Sequence, residues 1–357
     1  MDTSFLTNEM LFFGGFIIFI ALMLAIDLGI FSKKNEAVSF KAAAIMSSIW
    51  VTFALIFYVI LRIWGNELHN IHDFQTLVEV TERHMHSIKL IPDNLEASIA
   101  IYNQNLALEY ITGYVVEYAL SIDNIFVMVL VFGSFGVDPK HYHRVLVWGI
   151  LGALFFRFIF IFVGAALISR FDWILYIFGL FLVYTGIMMF IKRNEDETMD
   201  PQDNSIVRFA SKHFSVTPNF VGDQFFHKVD GKQFITPLFL VLLMIESTDI
   251  VFAVDSIPAI FSVTQDPYIV FFSNIFAILG LRSMFFLLIN VIDKFHYLKT
   301  GLSFLLVFIG GKMLLHGPLE SIGFTTSHSL IIIVGILVGS VVLSLIFPKK
   351  DADAKNL

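Results

Sequence analysis

The chain has 357 residues, of which 57% are hydrophobic, 15% aromatic and only 15% charged. Soluble domains carry about 25% charged residues, so ordinary soluble, disordered and fibrous classes are excluded. A net charge of −7 argues against a nucleic-acid partner, which calls for a basic face, and the lack of cysteine removes disulfides, thiolate metal sites and a thiol nucleophile.

A membrane span needs about 20 mostly apolar residues to cross about 30 Å of hydrocarbon. Nine stretches qualify, at roughly 10–31, 42–63, 108–132, 146–168, 173–191, 236–261, 269–290, 301–316 and 328–347. The eighth is the shortest. The first lacks a basic leader and a small-residue cleavage site, so it reads as a retained span rather than a signal peptide. The expected fold class is all-α, a polytopic transmembrane helix bundle of about nine spans. It divides into two N-terminal spans (1–64), an outer acidic loop (65–107), a three-span unit (108–191), an inner loop (192–235), a second three-span unit (236–316), and a last span with its tail (317–357).

Lys and Arg set the orientation, because they concentrate in short cytoplasmic segments. With the N-terminus outside and the C-terminus inside, sixteen of the 23 lie in inner segments and four in outer ones. The other three, Arg157, Arg282 and Lys312, fall within spans. The outer loop holds His69, His72, His84 and His86; a metal-catching or metal-releasing surface is one reading, and incidental histidines on a solvated loop is the expected one, as for His141 and His143. The inner loop carries Glu195-Asp196-Glu197 followed by scattered bases.

The two three-span units resemble each other. Phe171-Asp-Trp with Leu182-Val183 and Gly186 matches Phe295-His-Tyr with Leu306-Val307 and Gly310. Upstream, with small shifts, Arg157 falls on Arg282 and Ser121-Ile-Asp123 on Ser247-Thr-Asp249. A unit with an odd number of spans, followed directly by its copy, must sit upside down relative to it. Inverted repeats of this kind are used by secondary transporters for alternating access, with sites near the midplane.

Six acids lie well inside spans, leaving aside Glu109 at the very start of the third: Asp27, Glu117, Asp123, Glu246, Asp249 and Asp255. Unpaired and ionised, they would cost on the order of 15–20 kcal/mol at roughly 2.5–3.5 kcal/mol each. They must be protonated, paired or bound to cations. Three basic residues offset half of them. One divalent cation and one proton would clear the remainder, which fits poorly with an anion site. Glu117, Ser121 and Asn124 share one helical face, as do Glu246, Asp249 and Ala253. Asp123 and Asp255 lie off those faces. Pro258 is expected to kink or break its helix just after Asp255 and Ser256, freeing carbonyls as ligands and turning Asp255 inward. The donors are hard oxygens, which suit Mg, Ca or Mn rather than Zn or Cu. Met128 and Met244 are expected to fill core space. Arg157 and Arg282 are expected to pair with some of the acids, and Lys312 either snorkels outward or stands in for a bound cation.

These residues carry a family resemblance. Ala25-Ile-Asp27-Leu-Gly29, Glu117-Tyr-Ala-Leu-Ser121-Ile-Asp123-Asn124, Glu246-Ser-Thr-Asp249-Ile-Val-Phe-Ala-Val-Asp255-Ser256-Ile-Pro258, Gly280-Leu-Arg282-Ser and Gly310-Gly-Lys312 resemble the TerC family of bacterial integral membrane proteins. The family is named for tellurium resistance. Some members export manganese, including an alkaline-pH-responsive branch, and the family is similar to the LysE group with its three-plus-three inverted units. The resemblance implies a metal site of Glu117, Asp123, Asn124, Glu246, Asp249 and Asp255. Asp27, Ser121, Ser256, Arg157, Arg282 and Lys312 would support it. It also implies Mn²⁺ as the transported ion, with no permanently bound cofactor.

The first functional expectation is therefore a proton-coupled exporter of Mn²⁺ in a bacterial inner membrane. Its partners would be the divalent ion, protons and lipid. No Gly-x-x-x-x-Gly-Lys-Ser/Thr motif is present to make ATP the direct driver. The alternative is a membrane scaffold for tellurite or metal stress, docking soluble partners through 192–235 or assembling as a homo-oligomer. An intramembrane aspartyl protease fits poorly, because neither Gly-x-Gly-Asp nor Tyr-Asp occurs.

Overall fold

The computed structural model describes residues 8–31, 39–171, 173–193, 205–229, 231–289, 295 and 297–347, and their side chains except at 8–11, 26–31 and 320. Long helices follow the apolar stretches: α1 (Asn8–Phe31), α2 (Phe40–Trp64), α4 (Leu95–Phe135), α5 (Tyr142–Ile168), α6 (Ile174–Lys192), α8 (Pro237–Phe261), α9 (Pro267–Leu288), α10 (Leu298–Leu314) and α12 (Thr326–Ile346). Short helices α3 (Phe74–Arg83), α7 (Ser205–His213) and α11 (His316–Ser321) and a hairpin of β1 (Phe226–Val229) and β2 (Lys232–Ile235) fill the connections. In the hairpin Phe226 pairs with Ile235 and Val229 with Lys232. Seven helices are long and apolar enough to cross a membrane, a number that leaves out α1 and the 17-residue α10.

The segment 65–107 is not a solvated loop. It folds as a 3-10 turn (Gly65–His69), then α3, then the first turns of α4. Asp73 caps α3 by accepting a 2.8 Å hydrogen bond from Thr76 N, and Asn94 caps α4 by accepting a 3.0 Å bond from Ala97 N. Leu68, Ile71 and Leu77 are completely buried beneath them. At 41 residues α4 is about 60 Å long, twice the hydrocarbon thickness. It ends where Gly136 takes a left-handed φ of 62°, which suits a residue with no Cβ.

Helix α9 is buried along its whole apolar stretch. It packs on α2, α4 and α5, and Phe12, Phe13 and Phe16 of α1 cover it through ring contacts to Phe271, Phe272 and Phe276. The outer helices keep apolar side chains exposed, as on α6 (Ile177, Leu180, Ile187, Ile191) and α12 (Ile331, Val338, Val342, Leu345). Such faces suit contact with lipid rather than water. Helices α6 and α10 approach too closely for side chains. A Cβ on Gly310 would lie 2.6 Å from Gly179 O, and one on Gly186 would lie 2.8 Å from Ser303 O. Small residues at such crossings allow backbone contact, which drives helix association in membranes.

Pro258 does not break α8, which continues to Phe261. The proline falls one turn before the helix end, so the one hydrogen bond it removes and its ring leave the rest of α8 intact.

Candidate functional site

Where α4, α5, α8 and α9 meet, Arg157 is completely buried. Its Nη1 donates to Glu117 Oε1, to Asn274 Oδ1 at 3.0 Å and to Ser256 Oγ at 3.4 Å. Its Nη2 donates to Asp249 Oδ1 at 3.3 Å. Asn274 Nδ2 returns a 3.1 Å bond to Glu117 Oε2, and Ser121 Oγ donates to Glu117 Oε1 at 3.4 Å. One cation thus holds two carboxylates away from water, a pairing required at this depth.

Glu246 stands one turn from Asp249 on α8 and its carboxylate lies over Gly152 of α5, where a Cβ would collide with it. Glu246 Oε2 and Asp249 Oδ2 are buried and have no hydrogen-bond partner among the described residues. Buried carboxylate oxygens normally have partners. Three carboxylates against one guanidinium leave the cluster rich in negative charge and in unused oxygen.

Asp123, Asn124 and Asp255 do not join this cluster. They line a cavity of about 350 Å³ between α4, α6, α8 and α10, with Thr185, Lys192, Arg193, Ser256 and Lys299. Thr185 Oγ1 lies 3.5 Å from Asp255 Oδ1. Ser256 borders the cavity and also bonds Arg157, so it links the two groups. The face expected for Glu117, Ser121 and Asn124 therefore splits. The first two serve the central cluster and the third the cavity. Asp255 reaches the cavity without a broken helix.

The other expected residues are dispersed. Arg282 meets His143 Nε2 at 3.0 Å rather than an acid of the cluster. Lys312 does not snorkel outward or enter the central cluster. Its Nζ donates to Ser262 O at 2.8 Å, beside Glu109 in a second cavity of about 240 Å³. Met128 and Met244 are buried in the apolar core. The side chain of Asp27, like Glu195-Asp196-Glu197, lies outside the described residues.

At the end of the bundle that carries α3, a second polar cluster forms. Asp266, completely buried before α9, caps that helix through Tyr268 N at 2.9 Å and accepts from His69 Nε2 at 2.8 Å. Glu109 of α4 meets His86 Nδ1 at 3.0 Å, Asn105 Nδ2 at 2.7 Å and Thr264 Oγ1 at 2.6 Å. The His84 ring lies between the two others at tilted angles, 5.1 Å from His69 and 5.9 Å from His86. Burial raises the cost of charge on Asp266, but His69 outweighs it and holds the carboxyl well below its usual range. Burial pulls His84 down. For His86 burial acts the same way, but Glu109 overrides it and the ring is raised.

The histidines expected to be incidental are thus in part structural: His69, His86 and His141 are buried, and His141 meets Asp223. The sequence reading missed Glu109, Gly152, Thr264, Asp266 and Asn274. A lone amide in an apolar helix was the available signal for Asn274. Asp266 stands directly before Pro267, where an acidic helix cap is common, so nothing local sets it apart.

Comparison with known proteins places the chain. It is 42% identical over 347 residues, 96% of both chains, to an uncharacterised membrane protein of Myxococcus xanthus. It is 42% identical over 306 residues, 85% of this chain and 86% of the other, to a protein of Photorhabdus laumondii named as a candidate membrane-bound redox modulator, Alx. The Escherichia coli K12 protein of that name is 40% identical over 335 residues, 94% of both. No solved structure matches. Residues 102–352 match the integral membrane protein TerC family, and the chain belongs to that family.

Proposed function

We propose that this protein is a secondary transporter, not an enzyme, that exports Mn²⁺ from the bacterial cytoplasm in exchange for protons. The observation that carries the reading is the pair of buried, unpartnered oxygens on Glu246 and Asp249 beside an Arg157 already committed to Glu117. A hard divalent ion would satisfy both, and protons would satisfy them in its absence. All-oxygen donors favour Mn, Mg or Ca, and manganese is chosen on the family resemblance.

The cavity at Asp123, Asn124 and Asp255 is the inner mouth in this reading. Its rim of Lys192, Arg193 and Lys299 suits the cytoplasmic side, with the N-terminus outside. Toward the α3 end the path is tight: a Cβ on Gly113 would lie 2.9 Å from Ser273 Oγ and 3.2 Å from Ile260. Those features fit an inward-facing state. The inverted repeat is supported by the glycine crossing. Aligning Gly186 with Gly310 places Gly179 on Ser303, and the contacts Gly179–Gly310 and Gly186–Ser303 exchange under that alignment. A redox influence like that in the relatives' names would pass through the ions moved, since these 357 residues contain no cysteine.

The test is cell-associated manganese in a manganese-sensitive host. Cells with the wild type should hold several-fold less than cells with the Asp123→Asn/Asp249→Asn double variant. Equal manganese, with both proteins inserted in the membrane, would reject the exporter.

A further inference from the structure

We infer that the α3 end holds a second metal site, separate from the proposed transport site, in which His69, His84 and Asp266 ligate a divalent transition ion of the zinc type. One ligand atom from each of these residues lies within 4.8 Å of the others. A tetrahedral zinc site, with bonds of about 2.0–2.1 Å, has ligand atoms roughly 3.3 Å apart. Side-chain rotation closes that difference without moving a helix.

The chemistry differs from that of the central cluster. Two imidazoles and one carboxylate form a set that selects zinc, cobalt or nickel over magnesium or calcium. Asp266 already brings its carboxylate to His69, so two of the three ligands are positioned. The His84 ring makes no hydrogen bond to any described residue, and it stands between His69 and His86.

A second observation points to an ion. His86 is buried, and its Nε2 has no hydrogen-bond partner among the described residues. Its Nδ1 is held by Glu109 at 3.0 Å. A carboxylate on one ring nitrogen with the other left open is the arrangement that orients metal-bound histidines. His86 stands just outside the three-residue group, its ring 5.9 Å from that of His84, and would reach the ion only by moving inward. Met85, between the two histidines, takes a left-handed φ of 51°, uncommon for a residue of its size. The turn is held there although its own backbone disfavours it.

The cavity of about 240 Å³ lies beside the group, lined by Met85, Glu109 and Thr264 but not by the three ligands themselves. A bound ion would clamp three segments remote in sequence: the Gly65–His69 turn, the α3–α4 connection and the α8–α9 turn.

The experiment uses the full chain, purified in detergent, stripped of metal and titrated with Co²⁺. Four-coordinate Co²⁺ with nitrogen ligands absorbs strongly in the visible, whereas six-coordinate Co²⁺ in an all-oxygen site is pale. The wild type should develop the strong band at one equivalent, and Zn²⁺ should bleach it. His84→Ala removes a partly buried ring without a hydrogen bond, so the fold should survive, and Co²⁺ affinity should fall at least about 10-fold. Glu109→Gln, acting through His86, should lower it by about 10–100-fold. The Glu246→Gln/Asp249→Asn variant should keep the band, which separates this site from the transport reading. A wild type that stays pale, or a band that survives His84→Ala unchanged, would overturn the proposal.

Discussion

Replacing Arg157 by methionine is the sharpest test of the central cluster. The side chain is completely buried and is the cation shared by Glu117 and Asp249. At the 3.3 Å separation from Asp249, an effective dielectric of 20 gives about 5 kcal/mol of attraction. Removing the arginine also removes the cost of burying it. The remaining penalty is the pair of stranded carboxylates, and buried pairs broken in this way lose about 3–5 kcal/mol. For a chain of this size that is roughly 5–10 °C in unfolding midpoint, scaling from domains of 150–250 residues. The loss should be smaller when Glu117→Gln is added, because one stranded charge disappears with its counter-ion. A divalent ion should also substitute for the guanidinium. Mn²⁺ at 100 times its dissociation constant would return about 2.7 kcal/mol. The assay is thermal unfolding in micelles, with and without Mn²⁺, for both single variants and the double. If Arg157→Met unfolds with the wild type, or unfolds at the same temperature with Mn²⁺ as in metal-free buffer, the cluster is not held by charge and offers no cation site.

Two further outcomes are expected. Gly152→Ala puts a Cβ where the Glu246 carboxylate lies, so it displaces that ligand while keeping every charge. Transport should drop at least about 10-fold, since ligand atoms must hold position within about 0.2 Å. Unfolding should move little or upward, because Ala is the better helix former by up to about 1 kcal/mol; wild-type transport would discount Glu246 as a ligand. His86→Gln tests the outer cluster in metal-free buffer. His86 is raised when folded, so its contribution is full below the unfolded value of about 6.5 and fades as pH climbs through the folded one. The stability gap between wild type and variant should therefore shrink between pH 6 and 9, and a gap that stays constant would refute the Glu109 tie.

The spans were legible because apolar run length is a local property. Each long helix covers an expected stretch. The acids stood out for the same reason, as charges in apolar runs. Their partners did not. Asn274 meets Glu117 across 157 residues, and Asp266 meets His69 across 197. No local pattern encodes either pairing. The segment 65–107 looked like a loop because its helices are short, polar on one side and stabilised by packing on the start of α4. Arg282 was expected to match Arg157, yet Arg157 binds Glu117 and Asp249 while Arg282 meets His143. Similarity between two stretches of sequence says nothing of their neighbours. Asp123 and Asp255 were expected beside Glu117 and Asp249. Helix phase already set them apart, and the cavity lies on that other side.

Helix α8 ties these observations together. It carries Glu246 and Asp249 at the central cluster, Asp255 and Ser256 at the cavity, and at its end the turn with Thr264 and Asp266. It is continuous through Pro258, and packed helices move as rigid bodies rather than bending freely. A shift that re-pairs Asp249 must therefore strain the contacts of Thr264 with Glu109 and of Asp266 with His69. An ion at the outer histidines would fix that end and oppose the shift. Loss of the ion would release it. If ions bind at both clusters, any coupling through this helix must run both ways: an ion that holds the outer end would alter affinity at the centre by the same factor that the central ion alters affinity outside.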